Sequence, residues 1–133
     1  MAAVKELCVQ IANEPGALGV VSDALGQAGI NIDGFGVWGG CARLLVDDVD
    51  PALKILRETG FTCRTQQSLR LDLPDEPGNL SEVVQELGRA GINIDHAYTV
   101  TARADGACTF VLAVIDPRAA EKACKYPPRD SPG

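Results

Sequence analysis

Glu14–Pro15–Gly16, followed at a distance by Gly29–Ile30–Asn31–Ile32–Asp33, is a pattern that this chain writes twice. Sixty-two residues later it returns as Glu76–Pro77–Gly78 and Gly91–Ile92–Asn93–Ile94–Asp95. Across 14–33 and 76–95, thirteen of twenty positions are identical, which identifies a duplication rather than chance. The period is longer than that of the short solenoid repeats and has the size of a very small domain. A module of roughly 60 residues buries too little surface to be stable alone, so the copies are expected to pack together.

Reading outward from each repeat gives the same order of elements. Leu7, Val9 and Ile11 alternate with Cys8 and Gln10, the period of a half-buried strand. Pro15 suits the first turn of a helix, where its missing N–H has no partner to lose. Leu18, Val21, Leu25 and Ala28 then make one apolar helix face, and Gly29 ends it as a left-handed cap. A strand from Ile30 runs through Phe35 and Val37 toward Trp38, Gly39–Gly40 turns the chain, and Ala42–Asp47 returns. Asp50–Pro51 is expected to open a second helix, and Phe61–Gln66 forms a fourth strand. The second copy repeats the pattern, with Leu69, Leu71 and Leu73, a helix stripe from Leu80 to Ala90, a hairpin turn at Ala104–Asp105–Gly106 and an apolar strand from Cys108 to Ile115. Matching Asp116–Pro117 to Asp50–Pro51 implies four residues inserted in that hairpin. The fold class is α+β: two βαββαβ modules of ferredoxin-like type, antiparallel sheets with the helices on one face.

The organisation expected is module one over 1–66, module two over 67–126 and a disordered tail over 127–133. No linker separates the modules, since 61–73 reads as strand almost throughout, and swapped edge strands are compatible with it. Where the last strand should recur, the chain has Tyr126–Pro127–Pro128, and proline cannot donate into a ladder, so module two is expected to lack that strand. An edge so exposed favours pairing with another chain, and a homodimer is expected.

Composition excludes several classes of function. A net charge of −6 with no clustering of Lys and Arg argues against nucleic acid. No apolar run approaches the ~20 residues that cross a bilayer, and the N-terminus lacks a signal-peptide pattern, so no membrane partner and a cytoplasmic location are expected. Five cysteines, none in C-x-x-C spacing, read as small buried hydrophobes rather than a disulfide framework or metal centre. Neither a cofactor nor a metal is expected.

The two motifs, in their βαββαβ context, resemble the ACT domain, the regulatory module of many enzymes of amino-acid metabolism. Asn13–Glu14–Pro15–Gly16–Ala17–Leu18 with Gly29–Asp33 carries the resemblance in the first copy. Asp75–Glu76–Pro77–Gly78–Asn79–Leu80 with Gly91–Asp95 carries it in the second. The likeness implies sheet order 2-3-1-4, domains paired into extended sheets, and an allosteric amino-acid effector bound where paired domains meet. By position it implies ligand-binding roles for Asn13, Pro15, Gly16, Ala17, Leu18 and Asn31. In the second copy the same roles fall to Asp75, Pro77, Gly78, Asn79, Leu80 and Asn93. It implies no catalytic domain, so the chain is expected not to be an enzyme.

The residues support such a site on their own terms. A helix N-terminus offers unpaired N–H groups and partial positive charge, and glycine lets a carboxylate approach the backbone. Asn31 and Asn93 carry both donor and acceptor, which suits a zwitterion. The competing readings are a plain helix-starting turn for Pro-Gly and a local tie for each Asn. Ionised Asp75 would repel a ligand carboxylate where Asn13 would not, so the two copies are expected to be inequivalent. His96, the one histidine, follows Asp95, but no Ser or Cys nucleophile stands at a recognisable spacing from it. The alternative function is a docking subunit that binds a metabolic enzyme through sheet edges, its ligand sites vestigial.

Overall fold

The computed structural model describes residues 2–100 and 107–124. In chain order the elements are β1 (Ala2–Gln10), α1 (Ala17–Gln27), β2 (Ile32–Trp38), β3 (Cys41–Val46), α2 (Val49–Glu58), β4 (Cys63–Pro74), α3 (Asn79–Arg89), β5 (Ile94–Thr99), β6 (Ala107–Val114) and α4 (Pro117–Ala123). They divide into two compact units, one of Lys5–Gln66 and one of Gln67 onward together with the residues up to Val4. The expected hairpin turn at Ala104–Asp105–Gly106 and the expected tail at 127–133 lie outside the described residues.

In the Lys5–Gln66 unit the strand order is β2-β3-β1, with the first residues of β4 beyond β1. This is the 2-3-1-4 order of the ferredoxin-like fold. β1 and β3 run antiparallel with Leu7 opposite Leu44 and Val9 opposite Ala42; β2 and β3 do so with Phe35 opposite Leu44. Both helices lie on one face. Val21 and Leu25 of α1 and Ala52 and Leu56 of α2 share a single core with Leu7, Val9, Ala42, Leu44 and Val46. The 3.6-residue period of α1 and the two-residue period of β1 and β3 meet in that core. Each fully buried leucine there contributes about 1.5–3 kcal/mol of transfer free energy.

The opposite face of β1 departs from the half-buried expectation. Glu6 and Cys8 are buried there, as is Arg43, which stands opposite Cys8 on β3. Arg43 Nη1 donates to Glu6 Oε1 at 2.5 Å and Nη2 to Gln66 Oε1 at 3.1 Å. Cys8 Sγ also approaches Gln66 Oε1, at 3.7 Å. The reason is geometric: the long Arg43 side chain crosses the strand toward Glu6, and its stem covers sheet that would otherwise be wet.

In the second unit the order is β4-β6-β5, with Ala2–Val4 of β1 on the other flank of β4. Leu69, Leu71 and Leu73 face Val83 and Leu87 of α3 and Ala120 of α4 in one core. The register corrects the expected insertion. Ile32 pairs with Val46 and Ile94 with Val114, so partners offset by 62 on one strand are offset by 68 on the next. Six residues, not four, enter the β5–β6 connection. The helix caps agree, because Asp48 caps α2 and Asp116 caps α4 with nearly the same extended backbone. Pro51 sits two residues inside α2 rather than opening it, where the unpaired N–H groups of a first turn tolerate proline.

Burial pushes the Cys8 and Cys63 thiols above their ordinary value of 9.0, with Arg43 and Arg57 respectively opposing the effect. Above that pH the unfolded chain loses these protons while the folded one keeps them, so stability falls as pH rises. Thermal midpoints should therefore decline from about pH 9 upward, and Cys8→Ala and Cys63→Ala should each flatten that decline. Breaking the buried pair by Glu6→Ala should cost about 3–5 kcal/mol in urea denaturation, because it strands the Arg43 charge.

Candidate functional site

The turn between β1 and α1 is built on Gly16, whose φ of 87° and ψ of −14° no side-chain-bearing residue adopts cheaply. Gly78 repeats it at 88° and −16° before α3. Neither helix has a side-chain cap at this end. A Cβ at Gly16 or Gly78 would meet nothing within 4 Å, so backbone conformation, not crowding, selects glycine. The same open space lets a ligand approach the main chain. Ala17 N–H donates to Glu14 O at 3.3 Å and Val20 N–H to Gly16 O at 3.1 Å, which closes the turn onto the helix.

Asn31 stands where the chain leaves α1 for β2. Its backbone N–H donates to Asp47 Oδ1 at 3.0 Å, and its side-chain Nδ2 donates to Asp33 Oδ1 at 2.7 Å. The local-tie reading of Asn31 thus holds for its donor. One N–H of Nδ2 is committed to Asp33, which orients the amide and presents its oxygen as an acceptor for a ligand's donor. Asp33 itself is an extra residue in β2: the register passes from Ile32–Val46 to Gly34–Leu45, a β-bulge. The bulge shifts the parity of the strand, so that Phe35 and Val37 join Ile32 on the helix-bearing face while Trp38 points to the other.

These shifts open a groove of about 250 Å³ lined by Leu18 and Ser22 of α1, Ile32 and Phe35 of β2, and Leu44 of β3. Phe35 is 54% exposed and forms its outer wall. Of the residues proposed from the sequence, Leu18 lines the groove, Asn31 adjoins Ile32, and Asn13, Pro15 and Gly16 are exposed in the turn before α1. Ser22, Ile32, Phe35 and Leu44 were not singled out as ligand contacts. Phe35 was legible as an edge-strand aromatic, but the face it takes depends on the bulge, which alternation alone does not reveal.

The second unit keeps the glycine turn and the bulge, its register passing from Ile94–Val114 to His96–Ala113, but differs in the side chains around them. Asn79 Nδ2 donates to Pro74 O at 2.9 Å, so its side chain fastens the turn. Asp75 raises the Cys108 thiol, after burial as the larger cause, which places its carboxylate near that thiol. Ile115 takes the place of Asp47, and at 96% exposure it offers no acceptor to Asn93. His96 lies opposite Ala113, on the face away from the helices, with Nδ1 3.2 Å from Asp95 Oδ2. It therefore does not face the α3 side of its sheet.

A larger cleft of about 450 Å³ at the ends of β1, β3 and β4 is lined by residues including Cys8, Gln10, Cys41, Thr62 and Arg64. Among the described residues no group of three His, Cys, Asp or Glu side chains could hold a metal ion. No helix of the described residues is long and apolar enough to cross a membrane.

Substituting the turn glycine should separate conformation from packing. Gly16→Ala should destabilise by about 1–2 kcal/mol, since only the positive φ opposes it. Gly19→Ala, inside α1 with open space around it, should stabilise by about 0.5–1 kcal/mol. Chemical denaturation of both variants checks the pair.

Comparison with known proteins agrees with this geometry. The ACT domain family model matches residues 67–123. Among solved structures, protein BT0572 from Bacteroides thetaiotaomicron superposes with a TM-score of 0.83 at 22% identity, over 91% of this chain and 85% of its own. The regulatory subunit of aspartate kinase from Thermus thermophilus, in its ligand-free form, gives 0.62 at 19% identity, over 92% and 91%. That of Thermus flavus gives 0.59 at 20%, over 92% of each chain. No curated protein sequence matches. Residues 67–123 thus match the ACT domain family model, in a chain that shares its fold with regulatory subunits of aspartate kinase.

Proposed function

We propose that this protein is a regulatory module that binds an amino acid and has no catalysis of its own. The observation that carries this is the groove beside α1, lined by Leu18 in the first turn of a helix whose N-terminus has no side-chain cap. Backbone N–H groups and the helix dipole at the Gly16 turn attract a carboxylate. The Asn31 amide oxygen and the Asp33 carboxylate stand beyond the other end of α1 and would attract the ammonium group of a ligand held between paired copies. An α-amino acid can set its carboxylate on the turn and project its side chain toward Leu18 and Phe35.

The roles implied for Asn13, Pro15, Gly16, Ala17, Leu18 and Asn31 are retained in this proposal. In the second unit those of Asp75, Pro77, Gly78, Asn79, Leu80 and Asn93 are retained as a weaker site, because Asn79 is engaged with Pro74. The fold shared with regulatory subunits supports a role in controlling an enzyme of amino-acid metabolism rather than performing its reaction.

A homodimer belongs to the same reading. Among the described residues β2 has β3 as its one sheet neighbour, and Phe35, Val37 and Trp38 are exposed on it. A second copy pairing there would cover these side chains and the groove's outer wall. Light scattering should give twice the monomer mass, and Val37→Lys should shift it toward the monomer; a monomer in the unsubstituted protein would refute the pairing.

Effector binding is tested by thermal shift against the twenty amino acids, since a ligand that prefers the folded state raises the midpoint. A rise with one amino acid or a related few is expected, and Asn31→Ala should abolish it. Absence of any shift would instead favour a docking subunit with vestigial sites, and affinity capture of a metabolic enzyme in ligand-free buffer would support that.

A further inference from the structure

We infer that the effector carries an uncharged, apolar side chain and that the Lys5–Gln66 unit alone selects it. The inference rests on the amino-acid reading above and extends it to the side chain and the unit. Four of the five lining residues, Leu18, Ile32, Phe35 and Leu44, are apolar, and none is charged. Ser22 contributes the one polar group, and its hydroxyl already donates to Gly19 O at 3.1 Å. A cationic or anionic side chain entering this space would lose hydration and meet no opposite charge among the lining residues. An aliphatic or aromatic one would lose only water. The size agrees: about 250 Å³ falls below the ~300–1,000 Å³ range of sites for drug-sized ligands and suits a single amino acid.

The second unit supplies the internal control. At the positions equivalent to Ser22 and Phe35 it has Val84 and Ala97, while Leu80, Ile94 and Leu112 preserve Leu18, Ile32 and Leu44. Ala97 pairs with Leu112 as Phe35 pairs with Leu44, so the registers match and the aromatic wall is what the second unit lacks. Without that wall an apolar side chain stays in contact with water on its outer flank and gains less from binding. Phe35 is thus the specificity-determining residue of the groove.

Calorimetric titration of the full chain with leucine, isoleucine, valine, methionine and phenylalanine, beside lysine, arginine, aspartate and glutamate, tests this. At least one apolar amino acid is expected to bind with one site per chain and at least tenfold more tightly than any charged one. Phe35→Ala should weaken that binding by about 10-fold or more, in line with the loss of several apolar contacts in a hydrophobic pocket. The wild-type unfolding midpoint without ligand should be retained, because Phe35 is half exposed. Ala97→Phe should leave the first site's affinity unchanged and serves as the reciprocal variant. Binding of lysine or aspartate as tight as that of leucine would overturn the side-chain inference while leaving the amino-acid reading intact. Two equal sites per chain, or Phe35→Ala binding as wild type, would overturn the assignment to this unit. No binding by any amino acid would overturn both.

Discussion

One extra residue in β2 decides which side chains face α1. With Asp33 bulged out, Phe35 and Val37 fall opposite Leu44 and Ala42 on the helix-bearing face. Without it, strict alternation from Ile32 would put Gly34 and Gly36 there and send Phe35 outward with Val37. The groove would then have no wall, and two glycines would leave α1 packing against bare backbone. The bulge is itself held by polar contacts: Asn31 reaches Asp33 with its side chain and Asp47 with its backbone N–H, and Asp47 N–H returns to Asn31 O at 3.2 Å. The Asn-Ile-Asp sequence thus acts first on strand register and through it on the shape of the site.

The helix-free face of the same sheet is organised by charge instead. Glu6, Arg43 and Gln66 come from three strands and meet through hydrogen bonds from one guanidinium. Burying such a pair is a poor source of net stability, since desolvation offsets most of the attraction. Its consequence is positional. A one-residue slip of β1 against β3 would place Glu6 and Cys8 in the leucine core and leave Arg43 without its carboxylate, an arrangement costing several kcal/mol. The pair therefore disfavours alternative registers of the strands that carry the groove's floor. Trp38 belongs to this face too, and its ring occupies the space a side chain at Gly36 would need, which explains a glycine in the middle of an otherwise apolar strand.

Much of this was legible before any coordinates. The repeated Glu-Pro-Gly and Gly-Ile-Asn-Ile-Asp segments located both helix ends and placed both helix starts to within two residues, Pro15 lying in the turn before the helix rather than in its first turn, and Gly29, read as a left-handed cap, does take positive φ, as does Gly91. The alternation of Leu7, Val9 and Ile11 and of Leu69, Leu71 and Leu73 named the helix-facing side of β1 and β4. Three things were not legible, each for a physical reason. The insertion between β5 and β6 was miscounted because Asp-Pro marks a helix start equally well at the cap or two residues inside. Burial of Glu6 was hidden because a charged residue is assigned to solvent until its partner is known, and Arg43 lies 37 residues away. The groove was missed because periodicity predicts which residues share a face only while the register is unbroken.

The two units also show how a duplicated site can diverge without loss of fold. Core positions have changed little, since Val21 and Leu25 answer to Val83 and Leu87, and a cavity at either would cost a few kcal/mol. The surface positions around the turn carry no such constraint. There Ala17 became Asn79, which now fastens its own turn, Phe35 answers to Ala97, and Asp47 answers to a solvent-exposed Ile115. None of these differences disturbs a buried contact, yet together they remove an aromatic wall and a carboxylate anchor. Packing preserves the scaffold in both copies, while the side chains around the helix start are free to differ between them.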